Sequence, residues 1–312
     1  MRIRPFDWRD IPTLHRYRDR CVILHSSLVL TRGRLFLPRA MLSTFTSATG
    51  IVTSVCSDGS EDDMLIGQSA HSAGSQFAQL TFLAPESGLD SSDLPVLLED
   101  LGAHMAERGA YRLIADVDES ASAFEVLRRL GFAIYSRQRI WKLTHLPPIS
   151  ATYAWQPVTD MDSIEVSSLY HNVVPGLVQQ VEPEPGDRQH GLVYRQKDEL
   201  LAYAQLTYGH LGIWIQPIFH PDAQNLDELM ASLISNLPIR LSRPVYVGIR
   251  SYISWLEPIL EDLGAEAGPR QAVLVKHLTA PKKVMRPVTL PALEGGHPEV
   301  SAPIARTEKH LT

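Results

Sequence analysis

The sequence has 312 residues, of which 44% are hydrophobic and 21% charged, and its formal net charge is −6. This balance is typical of a globular protein that is long enough for two cores of ordinary domain size. The negative charge argues against a nucleic-acid partner, because binding a phosphate backbone usually needs a basic face.

The two cysteines, Cys21 and Cys56, lie far apart in the sequence. This arrangement is neither a disulfide framework nor a metal-binding spacing, and it suits a reducing compartment. Histidines and carboxylates show no metal-ligand spacing either, so no metal is expected. The N-terminus lacks the apolar core of a signal peptide, and every apolar run is too short to span a membrane. We therefore expect a cytoplasmic protein with no membrane partner.

The first segment, residues 1–145, alternates helix and strand patterns. Asp10 before Ile11-Pro12 predicts the start of a first helix that runs towards Cys21. A long helix over 93–108 carries apolar residues at helical spacing, and Gly109 follows it. The other predicted elements are strands over 50–56, 64–70, 77–83, 111–117 and 132–143, and a helix over 120–130 that ends at Gly131.

Residues 146–152 contain two adjacent prolines and predict a linker, because proline cannot donate to a strand ladder. The second segment, residues 153–280, repeats the order of the first, which indicates a tandem duplication. Its predicted helices cover 160–171, 226–237 and 251–263, and its strands cover 192–195, 200–208, 210–219, 244–249 and 272–277. Residues 281–312 have few large apolar side chains, which predicts a disordered tail.

Similar short stretches of residues also occur at corresponding places in the two segments. The first has Leu83-Ala84-Pro85-Glu86 before its long helix and closes on Leu130-Gly131-Phe132, and the second has Phe219-His220-Pro221-Asp222 and then Trp255 to Gly264. Together with the opening Ile3-Arg4-Pro5, these runs resemble the GNAT superfamily of acyl-CoA-dependent N-acetyltransferases. The resemblance covers most of both segments.

The resemblance implies an α/β (α+β) fold class with two GNAT-like domains, each a central mixed, mostly antiparallel twisted sheet flanked by helices. In that fold the central strands splay apart to admit acyl-CoA, and its pyrophosphate lies on a glycine-rich turn that opens the third helix. A helix N-terminus suits an anion because it carries unpaired N–H donors and a partial positive charge. The positions that match this cofactor site are Phe82, Leu83, Ala84, Gly88, Ser91 and Ser92.

Both phosphate turns depart from the family pattern. The first, residues 87–93, keeps one glycine and contains Asp90 and Asp93. The second, residues 223–228, keeps Gln224 but has no glycine. Carboxylates in a first helical turn stabilise the helix by about 0.3–1 kcal/mol each, but they would oppose a bound pyrophosphate.

Residues suited to acid–base chemistry are few. Many members of the family protonate the leaving thiolate with a tyrosine, and that position holds Leu127 in the first segment and Leu260 in the second. Asp118 and Glu119 follow the predicted strand 111–117, and His71 lies at another strand end. We select Glu119 and His71 as candidate catalytic bases. Each also has a structural interpretation, as a solvated or capping carboxylate and as a packing histidine.

Two functions are compatible with these residues. The first is an acyl-CoA-dependent N-acyltransferase of the GNAT type that uses acetyl-CoA or another acyl-CoA, without a metal, to modify an amine of a small molecule or peptide. The alternative is a catalytically inactive GNAT-like module that binds a small molecule or a protein partner. The sequence leaves open whether the protein is an enzyme and whether it is an oligomer, although edge strands of two such sheets could pair across the domain boundary.

Overall fold

The computed structural model describes residues 2–34, 50–57, 64–144, 153–182, 184–185, 190–237 and 243–278. These residues fall within one compact unit, Met1–Pro281. The predicted linker, 146–152, and the predicted tail, 281–312, lie outside the described residues. We call the part before the linker the N half and the part after it the C half.

The N half contains seven described strands and four α-helices. The strands are β1 (Arg2–Pro5), β2 (Val22–Ile23), β3 (Ile51–Ser57), β4 (Leu65–His71), β5 (Phe77–Ala84), β6 (Arg112–Asp118) and β7 (Ala133–Leu143). The helices are α1 (Ile11–Tyr17), α2 (Ser26–Arg32), α3 (Leu94–Glu107) and α4 (Ser122–Arg129), and short 3-10 helices cover Trp8–Asp10 and Glu86–Asp90.

The C half repeats this order with six described strands. They are β8 (Gln156–Pro157), β9 (Gly191–Gln196), β10 (Glu199–Tyr208), β11 (Ile213–Phe219), β12 (Val245–Arg250) and β13 (Glu266–His277). The helices are α5 (Ser163–Val173), α6 (Gly176–Gln179), α7 (Leu226–Ser235) and α8 (Glu257–Asp262), with 3-10 helices at Asp160–Asp162 and Ser251–Leu256.

The boundaries of several helices differ from the prediction. The first helix ends at Tyr17 rather than near Cys21, and β2 and α2 follow in a region where no element was predicted. The predicted helix over 251–263 is divided because Ile253 leaves the helical region, at φ −120°. The prediction for α3 is confirmed, since its apolar stripe is buried and Gly109 beyond its end has φ +97°.

All thirteen strands join one sheet in the order β1-β3-β4-β5-β6-β13-β7-β12-β11-β10-β9-β8, with β2 added beside β5. Two neighbouring pairs, β5–β6 and β11–β12, are parallel, and the other pairs are antiparallel. The strand order reads alike from either end, so the two halves are related by an approximate two-fold axis at the β13–β7 pair. The observed sheet is therefore mixed and mostly antiparallel, as predicted.

The last strand of each half is held by the other half. Strand β13 lies between β6 and β7, and it pairs from Gln271 opposite Asp118 to His277 opposite Arg112. Strand β7 pairs in turn with β12, from Leu143 opposite Val245 to Gln138 opposite Arg250. The halves therefore share strands, while the predicted domain limits, 1–145 and 153–280, stay a prediction.

Each half buries its own group of helices against the sheet. In the N half, α3 packs on β3 and β4 and buries Leu97, Leu101 and Met105 completely. In the C half, α7 and α8 cover the sheet, and Leu229, Leu233 and Leu260 are fully buried there. Full burial of one such side chain contributes about 1.5–3 kcal/mol, so these helices are stabilised mainly by packing.

Candidate functional site

Both parallel strand pairs separate towards their carboxyl ends. The β5–β6 ladder covers only Phe77 to Gln79 on β5, and the β11–β12 ladder covers only Ile213 to Ile215 on β11. Beyond these residues each pair diverges and leaves a wedge between two strand edges. We call the wedge beyond Gln79 the N-half opening and the wedge beyond Ile215 the C-half opening.

The N-half opening is filled by the main chain of the segment that contains β2. Val22 pairs with Leu83 and Ile23 with Phe82, on the edge of β5 that faces β6. Leu24 then bridges both walls: its N–H donates to the Thr81 carbonyl at 3.0 Å, and its carbonyl accepts from the Asp116 N–H at 2.9 Å. The strand edge at Phe82 and Leu83, where the sequence predicts the cofactor, is therefore already paired within the chain. No sequence motif predicted this contact.

The predicted phosphate turn of the N half uses its backbone donors internally. The Gly88 N–H donates to the Pro85 carbonyl at 3.0 Å, and the Ser91 N–H donates to the Gly88 carbonyl at 3.1 Å. The Ser91 hydroxyl accepts from the Asp93 N–H, and the Ser92 hydroxyl lies 3.5 Å from the Asp93 carboxylate. These donors serve the turn itself, so they do not form a ready cradle for an anion.

A packing contact explains why glycine occupies position 88. A Cβ atom there would lie 2.6 Å from Cδ1 of Leu65, which is closer than carbon atoms approach each other. Ala84, which is also one of the six predicted cofactor residues, is fully buried at the end of β5, as are Phe82 and Leu83. The structure thus brings the six residues together along one turn and strand, but most of their polar main-chain atoms have partners inside the protein.

An outer groove of about 520 Å³ lies at the mouth of the N-half opening. Asp118, Ser122 and Lys142 line it, together with residues of β2 and α2. The Asp118 carboxylate accepts a hydrogen bond from the Gln271 side chain at 2.8 Å. Cys21 also lines the groove, but burial raises the pKa of its thiol to about 11. A protonated, buried thiol is a poor nucleophile, which argues against a nucleophilic role for Cys21.

The two candidate bases lie away from this groove and from each other. The Glu119 carboxylate accepts from Nε of Arg137 at 2.6 Å, and Asp118 rather than Glu119 lines the groove. His71 is buried at the far end of β4, opposite Ala78, with Nε2 2.8 Å from the Ser75 carbonyl. Ala78 is six residues from Ala84, a distance of about 20 Å along a strand. The structure therefore does not assemble Glu119 and His71 into one site.

The C-half opening is crossed by a side chain instead of a strand. Nε2 of Gln216 donates to the Gly248 carbonyl at 2.9 Å, and within the described ranges this is the one hydrogen bond across the wedge. Beyond β11, Asn225 adopts a left-handed conformation at φ +51° and α7 begins. Asp227 and Glu228 are exposed in the first turn of α7. Among the described residues, no main-chain group pairs with the edge of β11 that faces β12 beyond Gln216, where Pro217 has no N–H to donate.

Buried leucines occupy the two positions at which many members of the family have a catalytic tyrosine. Leu127 on α4 and Leu260 on α8 are fully buried in the cores of their halves. In the described ranges no group of three or more histidine, cysteine or carboxylate side chains could hold a metal ion. The same part of the chain contains no helix long and apolar enough to cross a membrane.

No protein-family model matches the sequence, and no curated protein is similar to it. Solved structures do match. A tandem GNAT protein from the clavulanic acid biosynthesis pathway is 15% identical, with 89% of this chain and 98% of that chain covered at a TM-score of 0.50. This chain has the tandem GNAT fold.

Two further structures agree with that assignment. A putative acetyltransferase from Pyrococcus horikoshii is 10% identical, covers 89% of this chain and 90% of its own, and has a TM-score of 0.52. A GCN5-related N-acetyltransferase from Sphaerobacter thermophilus is 10% identical, with 89% of this chain and 95% of that chain covered at a TM-score of 0.50. These comparisons confirm the predicted GNAT resemblance and fold class. Within the tandem GNAT fold, the two openings are the splayed strand pairs that the sequence analysis expected.

Proposed function

We propose that this tandem GNAT protein is an acyl-CoA-dependent N-acyltransferase whose acyl-CoA lies in the C-half opening. The observation that supports this choice is the unequal filling of the two wedges. Leu24 closes the N-half opening with main-chain hydrogen bonds to both walls, whereas among the described residues only the side chain of Gln216 crosses the C-half opening. A side chain can rotate away at much lower cost than a paired strand.

The exposed strand edge suits the chemistry of the co-substrate. The arm of acyl-CoA carries amide groups, which can pair with a strand edge as an added strand does. Pro217, Ile218 and Phe219 continue β11 beyond Gln216, and because Pro217 has no N–H, its contribution to such pairing is limited to its carbonyl oxygen. The predicted N-half cofactor residues, from Phe82 to Ser92, then have a structural role in the filled half.

The transfer itself needs few protein groups. The neutral acceptor amine attacks the thioester carbonyl carbon, the C–S bond breaks, and the amine nitrogen loses a proton to a base while the thiolate gains one. Holding amine and thioester together supplies much of the rate enhancement. Because Leu260 occupies the usual acid position, the thiolate takes its proton from another group or from water. Acetyl-CoA is the first co-substrate to test, with small-molecule and peptide amines as acceptors.

The test is calorimetric titration of acetyl-CoA into the full chain and into two paired variants. Removing carboxylates beside the pyrophosphate should tighten binding, by about twofold to fivefold for each charge. We therefore expect tighter binding by Asp227→Asn with Glu228→Gln, and unchanged binding by the matched N-half variant, Asp90→Asn with Asp93→Asn. If only the N-half variant tightens binding, the assignment to the C half is wrong.

The filled N-half opening and the buried Leu127 and Leu260 favour a second function, a GNAT-like module that binds a small molecule or partner without catalysis. Thiol release from acetyl-CoA, followed across a broad panel of amines at high protein concentration, separates the two. Release above the protein-free rate supports the acyltransferase. Undetectable binding of acetyl-CoA at millimolar concentration, together with no release, supports the module.

A further inference from the structure

A polar cavity of about 220 Å³ lies between the two halves. Its walls come from β5, β6 and β7, from β11 and β12, and from the residues at the start of α2. At roughly 30 Å³ for each water molecule, the cavity has room for about seven waters or one small solute. It is too small for acyl-CoA, and it adjoins both openings, because Gln79, Asp116 and Gln216 line it.

One wall of the cavity carries a guanidinium group with unused donors. Arg250 ends β12 and is 9% exposed. Its Nη2 donates to Glu182, whose carboxylate also accepts from the Tyr135 hydroxyl at 2.6 Å. Nε and Nη1 of Arg250 are buried and have no hydrogen-bond partner in the described part of the chain. Buried N–H groups without partners are costly, so an anionic or carbonyl oxygen beside Arg250 would be favourable.

Another part of the cavity lining is rich in acceptors. Gln79 donates its amide N–H to the Leu24 carbonyl at 3.0 Å, and Gln216 donates to the Gly248 carbonyl at 2.9 Å. Because the fold engages these amide nitrogens, their carbonyl oxygens remain as acceptors on the cavity wall. Asp116 adds a carboxylate, which accepts from the Ser26 N–H at 3.0 Å. Such a wall favours a ligand group that donates several hydrogen bonds.

The charged side chains around the cavity also suit a zwitterion, which is a ligand with one positive group, one negative group and no net charge. Arg250 and Glu182 neutralise each other, and burial raises the pKa of Asp116 although Arg250 opposes that shift. Burial lowers the pKa of His25, which also lines the cavity, to about 4, so its imidazole is neutral at pH 7. A zwitterion can place its carboxylate beside the unpartnered donors of Arg250 and its ammonium group beside Asp116.

From this geometry we infer that the central cavity binds a small amino acid, with its carboxylate beside Arg250 and its ammonium group beside Asp116 and the glutamine oxygens. The inference goes beyond the proposed acyl transfer and concerns the protein without acyl-CoA, in which Gln216 keeps its hydrogen bond to Gly248. An amino acid with a short side chain fits the volume, and its two charged groups match the two walls. Occupancy would also satisfy the unpaired donors of Arg250.

The test is equilibrium binding to the full chain without acyl-CoA, by calorimetry and by thermal shift. The probes are glycine, alanine, serine and the other common amino acids at concentrations up to about 10 mM, with acetate, methylammonium and sulfate as single-charge controls. We expect at least one short amino acid to bind about tenfold more tightly than any control, a difference in dissociation constant that calorimetry resolves. No binding by any amino acid, or equal binding of acetate or sulfate, would overturn the inference.

Paired variants locate the ligand. Arg250→Met with Glu182→Gln removes both buried charges together, and Asp116→Asn keeps the acceptor for Ser26 while removing the other charge. We expect each to weaken binding at least about tenfold. The matched control is Arg139→Met with Glu257→Gln: Arg139 also pairs with a carboxylate and has an unpartnered buried Nε, but it lies outside the cavity lining. If the Arg250 variant does not fold, Asp116→Asn decides, and unchanged binding in it refutes the site.

Discussion

The backbone N–H of Asp116 donates a hydrogen bond at 2.9 Å to the carbonyl oxygen of Leu24, a residue 92 positions earlier in the chain. The Leu24 N–H donates to the Thr81 carbonyl on the other wall of the wedge. One residue thus joins the two strands that a GNAT fold normally leaves apart. The N-half opening is closed by the chain itself, and this is why we propose the C-half opening for acyl-CoA.

Leu24→Ala should destabilise the protein by about 2–5 kcal/mol, because the side chain is fully buried and its removal leaves a cavity in the N-half core. Urea denaturation followed by circular dichroism measures the change. The control is Leu177→Ala, whose side chain is 72% exposed and whose removal should change stability by less than about 0.5 kcal/mol. Similar small losses in both variants would show that the β2 segment contributes little.

Gly88→Ala should cost about 1–3 kcal/mol, because the new Cβ would lie 2.6 Å from Cδ1 of Leu65. Its acetyl-CoA affinity should equal that of the wild type if the co-substrate binds in the C half. Gly176→Ala is the matched control, since no atom lies within 4 Å of its added Cβ. A loss of acetyl-CoA binding in folded Gly88→Ala protein would restore the N-half turn as the phosphate site.

Asp162 makes part of the stability depend on pH. Burial opposes ionisation, but hydrogen bonds from Thr159 and Arg195 outweigh it and lower the pKa of Asp162. A carboxyl group whose pKa is lower in the folded state than in the unfolded state stabilises the fold at pH values above its unfolded pKa, about 3.9. This contribution is lost as the pH falls through the folded pKa. Asp162→Asn should therefore cost about 0.5–2 kcal/mol at pH 7 and less at pH 3.

Urea denaturation of Asp162→Asn at both pH values checks this sign. Asp160→Asn provides the control, since Asp160 is exposed in the same turn and its change should stay within about 0.5 kcal/mol at either pH. A cost for Asp162→Asn that is equal at pH 3 and pH 7 would contradict the assigned ionisation.

Leu274→Ala should destabilise both halves together. Leu274 belongs to β13, the last strand of the C half, yet its fully buried side chain lies in the core of the N half with Leu113 and Ala115. The expected loss is about 2–5 kcal/mol in one cooperative unfolding transition, because the exchanged strand links the two cores. Two separate transitions, with only the one for the N half shifted, would show that the halves unfold independently.

The local elements and their repetition were predictable from the sequence. Helix α3 has apolar residues at helical spacing and is followed by Gly109, and α4 ends at Arg129, two residues before Gly131. Short-range periodicity and a glycine just beyond the helix end therefore identify both. The six predicted cofactor residues do lie together, because they follow one another along the chain. Glu119 and His71 do not, since their distance depends on how strands align across the sheet.

What the sequence by itself determined is the tandem α/β architecture, because helix and strand patterns are local and occur twice in the same order. Only the tertiary structure decided that Leu24 fills one opening, that β13 lies between β6 and β7, and that Arg250 and Asp116 face a common cavity. The physical reason is the range of the contacts. Strand pairing joins residues far apart in the chain, and a two-residue strand such as β2 is too short to leave a periodic pattern of its own.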